Sequence, residues 1–280
     1  MESTGNSKFL SFDAYTLKII AVIGMIGNHV AIAFAEVLPL PLMIFLFGIG
    51  GLTYVIMAYF VVEGYRHTSS YKKYIGRLFL FAIIAQAFHP TVLGVTDMTG
   101  TGFFFNILFA IIWALIMLKL YDTIKIRPLF WLVFVLMCFV SIFMDLLFLG
   151  LIVPVLYYAI KKENTRRVVP GVVVGVYYLI FGAFSALTPI MYFTTDDPLL
   201  AAEIRAAVEA MGMPMEIMIA TPTFALGAFV GAFLIRNFNG ERGKRSKWLF
   251  YVAYPAHLAI IAVILWATGM AAFNLFGLAF

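Results

Sequence analysis

The first long apolar segment of the chain contains two side chains that can carry charge, Lys18 and His29. Each residue of an α-helix turns the chain by about 100°, so Lys18, Met25 and His29 fall on one stripe. An imidazole is suited to proton transfer, and inside a hydrophobic segment it is costly unless it faces protein or water. His29 is therefore predicted to be functional, with a hydrogen-bonded packing role as the alternative.

The last long apolar segment has a second polar stripe. Tyr251, Tyr254 and His257 follow one another in steps of three along one side of a helix. Pro255 between them removes an amide donor and displaces the carbonyl group of Tyr251. A freed carbonyl beside an imidazole is typical of a polar cavity, although proline kinks are also common in membrane helices. His257 is predicted to be functional.

A charged cluster follows the second apolar segment. Glu63 and His67 are four residues apart, so their side chains meet across one helical turn. Arg66, Lys72, Lys73 and Arg77 lie close by in the sequence. These cations could hold an anionic ligand such as a phosphate. A solvated basic loop is the alternative interpretation.

The composition indicates an integral membrane protein. Hydrophobic residues make up 64% of the chain and charged residues 12%, whereas about a quarter of a soluble domain is charged. The apolar runs have helical length, which argues against a β-barrel. The single cysteine, Cys138, excludes a disulfide framework or a cysteine-rich metal site. No metal site is predicted.

The apolar runs predict an all-α membrane helix bundle in one domain, residues 1–280. Each run is near the 20 or so residues needed to cross a bilayer. The segment 129–160 is too long for one upright span, and Asp145 interrupts it, so it is predicted to form two shorter helices that meet near 145–150. The predicted spans number nine and lie near 15–36, 41–63, 74–94, 103–121, 129–160 as a pair, 168–191, 214–236 and 247–269.

The basic residues predict the orientation, because lysine and arginine gather in short cytoplasmic loops. They follow alternate spans, which accounts for the net charge of +5 without a nucleic-acid partner. The N-terminus is predicted to be cytoplasmic and the C-terminus outside. The residues on the basic face are Arg66, Lys72, Lys73, Arg77, Lys119, Lys125, Arg127, Lys161, Lys162, Arg166, Arg167, Arg236, Arg242, Lys244, Arg245 and Lys247.

Outside the spans, one amphipathic helix is predicted to follow Asp197 and Pro198, which suit an N-cap and a first helical position. It ends at Gly212 and lies on the outer surface as a connecting helix or over a cavity mouth.

Two further polar residues also allow a purely structural interpretation. Asn106 is a polar candidate that could simply join helices, and Asp145 could simply cap a short helix.

Five sequence blocks, taken together and in order, resemble the TraX family of membrane proteins. The block Asn237 to Gly243 resembles the family's Tyr-Asn-Gly-x-Arg-Gly loop, and the block Phe250 to Leu258 resembles its Phe-Tyr-x-x-Tyr-Pro-x-His-Leu ending. The sequence departs from the pattern at Asn28, where aspartate is usual, and at Gly51 and Val55, where arginine and proline are usual. The blocks are Lys18 to His29, Glu63 to Thr68 with Lys73 to Leu78, Asn106 to Phe109, Asn237 to Gly243, and Phe250 to Leu258.

The resemblance implies an acetyltransferase of the bacterial inner membrane, related to the acyltransferase-3 class. Such proteins pass an acyl group from cytoplasmic acetyl-CoA to an amine or hydroxyl of an envelope acceptor, either a pilin-like peptide or a glycan. The founding members acetylate the N-terminus of pilin. The lipid bilayer is the other expected partner, and the sequence leaves the oligomeric state open.

The resemblance also implies roles for single residues. His29 is expected to be the base, Asn28 to orient a neighbour or donate to the oxyanion, and His257 to supply a second proton-transfer or oxyanion role. The cations Arg66, Lys72, Lys73, Arg77 and Arg242, together with His67, would hold the coenzyme. The remaining polar cavity residues are expected to be Lys18, Glu63, Asn106, Asp145, Asn239, Tyr251 and Tyr254.

Two other classes of function stay open at this point. The same polar stripe could form the pathway of a small-anion transporter or channel, with the basic loops as a vestibule. A non-catalytic relative of the family is the third possibility, and it predicts that both histidines tolerate substitution.

Overall fold

The computed structural model describes residues 10–93, 104–211, 214–245, 247–276 and 278–279. These residues form a bundle of α-helices and one hairpin of two-residue strands, β1 (Asn274–Leu275) and β2 (Leu278–Ala279). The helices are α1 (Ala14–Ala33), α2 (Leu40–His67), α3 (Tyr71–Gln86), α4 (His89–Leu93), α5 (Ile107–Thr123), α6 (Arg127–Val140), α7 (Leu149–Ala159), α8 (Glu163–Thr194), α9 (Pro198–Met211), α10 (Met215–Ala220), α11 (Thr223–Arg236) and α12 (Lys247–Ala267).

The all-helical class is confirmed, but the predicted count of nine spans is not. Within the described residues, four helices are long and apolar enough to cross a membrane: Ala14–Ala33, Leu40–His67, Glu163–Thr194 and Trp248–Ala267. The shorter apolar helices include α6, α7 and α11. A helix rises about 1.5 Å per residue, so helices of 11 to 14 residues are shorter than the hydrocarbon core.

Two predicted spans, 74–94 and 214–236, are each divided into two helices. Pro90 cannot donate to the carbonyl group of Gln86, which is the last residue of α3. Pro222 likewise separates α10 from α11. These prolines explain why a continuous apolar run does not form a continuous helix.

The division of the segment 129–160 into two helices is confirmed. Helix α6 ends at Val140, a short 3-10 helix covers Ser141–Phe143, and α7 begins at Leu149. The turn between them is attached to the start of α5, because the amide of Asp145 donates to the carbonyl of Phe105 at 2.9 Å. This attachment holds Asp145 at a defined position.

Helix α2 occupies the centre of the bundle and packs against α1 and α11. Its contact with α11 needs glycine: a Cβ atom on Gly51 would lie 2.0 Å from the carbonyl oxygen of Phe224, and one on Gly227 would lie 2.1 Å from that of Gly48. Small residues allow helix backbones to approach closely in membrane bundles. Large apolar side chains such as Ile23, Trp131 and Phe184 remain exposed at 59%, 56% and 68%, as expected for surfaces that face lipid.

The predicted amphipathic helix is present as α9. The carboxylate of Asp197 accepts a hydrogen bond from the amide of Leu199 at 2.9 Å. Ile204 and Val208 are buried against Met218, while Glu203 and Arg205 are exposed. The predicted end at Gly212 lies outside the described residues.

Candidate active site

His29 and His257 meet in the interior of the bundle. The Nδ1 atom of His29 lies 2.6 Å from the Nε2 atom of His257. The two rings are nearly parallel, with centroids 4.8 Å apart and an angle of 11° between their planes. Both side chains are buried. The helices at the two ends of the chain therefore contribute one imidazole each to a single hydrogen-bonded pair.

The hydrogen bonds of this pair define where the protons sit when both rings are neutral. The Nδ1 atom of His257 lies 2.8 Å from the carbonyl oxygen of Ala253, which can only accept, so this nitrogen carries the proton. The Nε2 atom of His257 then accepts from Nδ1–H of His29. The Nε2 atom of His29 keeps its lone pair, and no described residue donates to it. An imidazole with one nitrogen held by a partner and the other unused is suited to act as a general base.

The carbonyl group that His257 contacts differs from the one that Pro255 displaces. Pro255 displaces the carbonyl of Tyr251, but His257 binds that of Ala253. The reason is the direction of helical side chains, which point back toward the preceding turn and so reach the carbonyl four residues earlier. His67 makes the same contact with the carbonyl of Glu63 at 2.8 Å.

His29 lines a cavity of about 380 Å³, whereas His257 lies behind it and is not among the lining residues. Most of the lining is apolar, including Met25, Phe47 and Ile111. The polar or charged lining residues are Asn28, His29, Thr53, Tyr54, Asp145, Tyr178, Thr221 and Tyr254. A few polar groups in an apolar cavity are typical of a small-molecule site.

Tyr254 also lines the cavity, one turn before His257 on α12. Its ring centroid lies 6.2 Å from that of His29 and 5.6 Å from that of His257. The hydroxyl group is buried and has no hydrogen-bond acceptor among the described residues. A buried donor without an acceptor costs about 1–3 kcal/mol, so this hydroxyl group is available to a bound molecule.

Asn28 lies beside His29 on the cavity wall and packs against α2. Its side-chain amide donates a long hydrogen bond of 3.4 Å to the carbonyl of Phe47. A Cβ atom on Gly50 would lie 2.6 Å from the Asn28 side chain. The amide is therefore wedged between α1 and α2, with one weak bond that a ligand could replace.

Lys18 is at the opposite end of the polar stripe of α1 from His29, and it lies between two aromatic rings. Its Nζ atom is 4.8 Å from the centroid of Phe60 and 5.5 Å from that of Phe250, which lines the cavity. No described carboxylate pairs with Lys18, and the cation that interacts with it is Arg242. A second cation near Lys18, without a described carboxylate to pair with either one, favours the binding of an anion.

The loop 237–243 brings Arg242 to the start of α1. The amide of Asn239 donates to Phe12, and the amides of Phe12 and Ala14 donate to Asn237 and Glu241. Asn239 holds the loop with its side chain, which accepts from the amide of Glu241 at 2.8 Å. We call residues 237–243 the α1 strap.

The α1 strap ends against the N-cap of α1. Gly243 has a φ of +65°, and a Cβ atom there would lie 2.4 Å from a carboxylate oxygen of Asp13. The carboxylate of Asp13 accepts from the amide of Thr16 at 2.7 Å, and this bond lowers the pKa of Asp13 below its usual range. Glycine is needed at Gly243 for both its conformation and this close approach.

Comparison with known proteins agrees with the family resemblance seen in the sequence. The family model described as TraX protein matches residues 13–265, which include both histidines, Lys18 and the α1 strap. This chain belongs to the TraX family.

A curated relative matches over nearly its full length. The probable fimbrial assembly protein FimC, serogroup H1, of Dichelobacter nodosus is 27% identical over 271 residues, which cover 91% of this chain and 96% of that protein. No solved structure matches the chain.

The basic residues predicted from the TraX resemblance divide into two groups in the structure. Arg77 lies near α12, with its guanidinium carbon 5.9 Å from the ring centroid of Tyr251, and its Nε atom is buried without a partner among the described residues. Lys72 and Lys73 are exposed at the start of α3. Arg77, Lys18 and Arg242 thus all approach the first turns of α1 and α12.

The second group surrounds Glu63. Its carboxylate lies 3.2 Å from Arg66, 3.6 Å from Arg166 and 3.8 Å from His67. Arg66 also donates to the carbonyl oxygens of Tyr157 and Tyr158. The predicted contact of Glu63 with His67 is present, but Arg66 has most of its donors engaged in joining α2 to α7.

Asn106 and Tyr251 lie outside the cavity lining. The side chain of Asn106 caps α5 by accepting from the amide of Leu108 at 3.0 Å, and it donates to the carbonyl of Ala82 at 2.9 Å. Tyr251 stacks on Phe81 with ring centroids 5.5 Å apart. Both residues join neighbouring helices.

His89 is not among the site residues predicted from the sequence, but it contacts one of them. The Nε2 atom of His89 lies 3.1 Å from a carboxylate oxygen of Asp145, and Asp145 lines the cavity. Tyr54, Thr53 and Tyr178 were also missed. No local pattern links these positions, since His89 and Asp145 are 56 residues apart.

Proposed function

We propose that this TraX-family protein transfers an acyl group, most simply acetyl from acetyl-CoA, to an amine or hydroxyl of an envelope acceptor. The observation that carries the proposal is the His29–His257 pair at the cavity wall, with the lone pair of His29 Nε2 unused. A base that is oriented by a second group is what acyl transfer to such an acceptor requires.

His29 acts as the base in the proposed reaction. The acceptor atom attacks the thioester carbonyl carbon, and its proton passes to Nε2 of His29. The carbon–sulfur bond then breaks, and the departing thiolate receives that proton as a thiol. His257 is a positioning residue, because both of its nitrogens are engaged and it keeps His29 in the reactive tautomer.

Tyr254 is the proposed donor to the oxyanion that forms during attack. Its hydroxyl group is buried at the cavity and has no acceptor among the described residues. A donor that is already in place, in a site shielded from water, stabilises developing charge most effectively. Asn28 is the second candidate donor, since its bond to Phe47 is long.

The coenzyme phosphates are proposed to bind where Lys18, Arg77 and Arg242 approach the start of α12. These cations have no described carboxylate partner, so they can pair with phosphates. Lys72 and Lys73 would add charge nearby, whereas Arg66 and His67 are engaged with Glu63. In the proposed topology this end of the single domain faces the cytoplasm of a bacterial inner membrane.

Anion transport is less well supported by the cavity. Its lining is mostly apolar, and the charged residue among the described lining residues is the carboxylate of Asp145. A pathway for anions would instead be lined by cations or polar donors. Anion flux through liposomes in the absence of coenzyme A would favour transport over acyl transfer.

The proposal is tested with the full chain in liposomes and radiolabelled acetyl-CoA. His29→Ala should lower acetyl transfer at least a thousandfold while coenzyme A binding and the elution profile stay normal. His257→Leu should lower kcat about ten- to a hundredfold, and His257→Gln should recover part of it because its side-chain oxygen can accept from His29. Undiminished transfer by His29→Ala would exclude His29 as the base.

A further inference from the structure

The cavity contains one carboxylate among its described lining residues, that of Asp145. Its side chain is only 19% exposed, and His89 beside it is 1% exposed. No described lysine or arginine pairs with Asp145. A carboxylate at an apolar wall without a cation is costly, and the cost is relieved when a positive group binds.

The carboxylate of Asp145 is held in place from two sides. One oxygen, Oδ2, is 3.1 Å from Nε2 of His89, and the backbone amide of Asp145 donates to Phe105. His89 begins α4, which packs against α1 and α12, the helices of His29 and His257. The other oxygen, Oδ1, makes no hydrogen bond to a described residue. It is free to bind a cation in the cavity that His29 lines.

We infer that the His89–Asp145 pair is the binding site for an ammonium group on the acceptor, with the apolar cavity wall taking the stem that carries it. This inference rests on the proposed acyl transfer to an amine, which the TraX resemblance already implies, and adds the two residues that would bind the charged form of that amine. The carboxylate pairs with the ammonium group, and His89 keeps the carboxylate oriented by donating to Oδ2. A hydroxyl acceptor has no charge for this site to recognise.

The pairs His29–His257 and His89–Asp145 have separate tasks in the proposed reaction. An ammonium nitrogen must lose two protons to become an amide, one before it attacks the thioester and one afterwards. The first proton leaves the bound amine for solvent, and His29 receives the second. The new carbon–nitrogen bond replaces the carbon–sulfur bond, one proton ends on the thiolate, and the other is released to solvent.

The test compares two acceptors of the same length and apolar character, hexylamine and 1-hexanol, with radiolabelled acetyl-CoA and the full chain in liposomes. Asp145→Asn should raise the KM for hexylamine at least tenfold and leave transfer to hexanol within twofold. The matched control is Asp122→Asn, because Asp122 accepts from two tyrosine hydroxyls at 2.7 Å each and does not line the cavity. It should change neither acceptor.

A second measurement does not depend on the folding of any variant. Hexyltrimethylammonium should compete with hexylamine on the unmodified protein, whereas hexyl sulfate should not. Equal effects of Asp145→Asn on both acceptors, or no competition by the quaternary ammonium ion, would overturn the ammonium site. Loss of all transfer in His29→Ala, together with either result, would leave the proposed function standing.

Discussion

At the scale of single residues, the proposed chemistry depends on polar atoms that do not use all of their hydrogen bonds. The lone pair of His29 Nε2 accepts from no described residue, and the hydroxyl of Tyr254 donates to none of them. Their neighbours are fully engaged: His257 uses both ring nitrogens, and Tyr54 donates to the carbonyl of Leu149 at 2.7 Å. In an apolar cavity, unused polar atoms mark the positions where substrate atoms belong.

Replacing Tyr254 by phenylalanine tests the oxyanion role at this scale. The substitution removes one hydroxyl group and keeps the ring, so we expect kcat to fall about a hundredfold, as on loss of one oxyanion donor. The KM for acetyl-CoA should stay within twofold, because the ground-state carbonyl needs the donor less. Initial rates of acetyl transfer over a range of acetyl-CoA concentrations would measure both constants.

Tyr157→Phe is the matched control for this substitution. Tyr157 is fully buried and donates to the carbonyl of Val55 at 3.2 Å, away from the cavity. We expect its loss to lower the melting temperature and to leave kcat unchanged. An unchanged kcat in Tyr254→Phe as well would remove Tyr254 from the mechanism.

At the scale of helices, the cavity depends on how closely α2 approaches its neighbours. Glycines of α2 lie against the backbone of α11 at Gly51 and against Asn28 of α1 at Gly50. The TraX resemblance makes an arginine usual at position 51, but the carbonyl of Phe224 lies 2.0 Å from where a Cβ would be. In this chain the helix packing itself requires glycine there.

Gly51→Ala is therefore expected to destabilise the protein. The added methyl group must displace backbone atoms of α11, and overpacking of this kind costs about 1–3 kcal/mol. Thermal unfolding in detergent should show a lower melting temperature. Gly76→Ala in α3 is the control, since nothing lies within 4 Å of its Cβ position and alanine favours a helix by up to about 1 kcal/mol. Equal melting temperatures for the two variants would contradict the close packing of α2 and α11.

At the scale of the whole molecule, charge is separated along the cavity. The cations Lys18, Arg77 and Arg242 approach the first turns of α1 and α12, whereas Asp145 is bound to His89 on α4. Lys18 and His29 are about 16 Å apart along the axis of α1. The arrangement suits the proposed reaction, with an anionic donor near the cations and a cationic acceptor near Asp145.

Lys18→Met tests the basic end. Methionine keeps the packing between Phe60 and Phe250, so we expect the melting temperature to hold or rise. The KM for acetyl-CoA should rise about tenfold at low salt, the effect of losing one charged hydrogen bond of about 1.5 kcal/mol. The exposed cation Lys125 supplies the control, Lys125→Met, which should leave KM unchanged. If both variants raise KM equally, the effect is general electrostatic attraction and not a site at Lys18.

The sequence by itself determined which segments of this protein are helical and on which side of a helix its polar residues lie. Apolar runs of helical length, the 100° turn and the order of the TraX blocks predict the helices, the stripe of Lys18 and His29, and the division of 129–160. Local rules suffice for these features because each depends on neighbours within a few residues. The breaks at Pro90 and Pro222 follow the same rules, although the apolar runs concealed them.

Only the tertiary structure decided which side chains meet. His29 and His257 are 228 residues apart, and His89 and Asp145 are 56 apart. A periodic pattern gives the face on which a side chain lies, but not the helix that it faces or the bonds left unused. The separation of Arg242 from Arg66 has the same origin, because the α1 strap and the contacts of Glu63 are long-range packing.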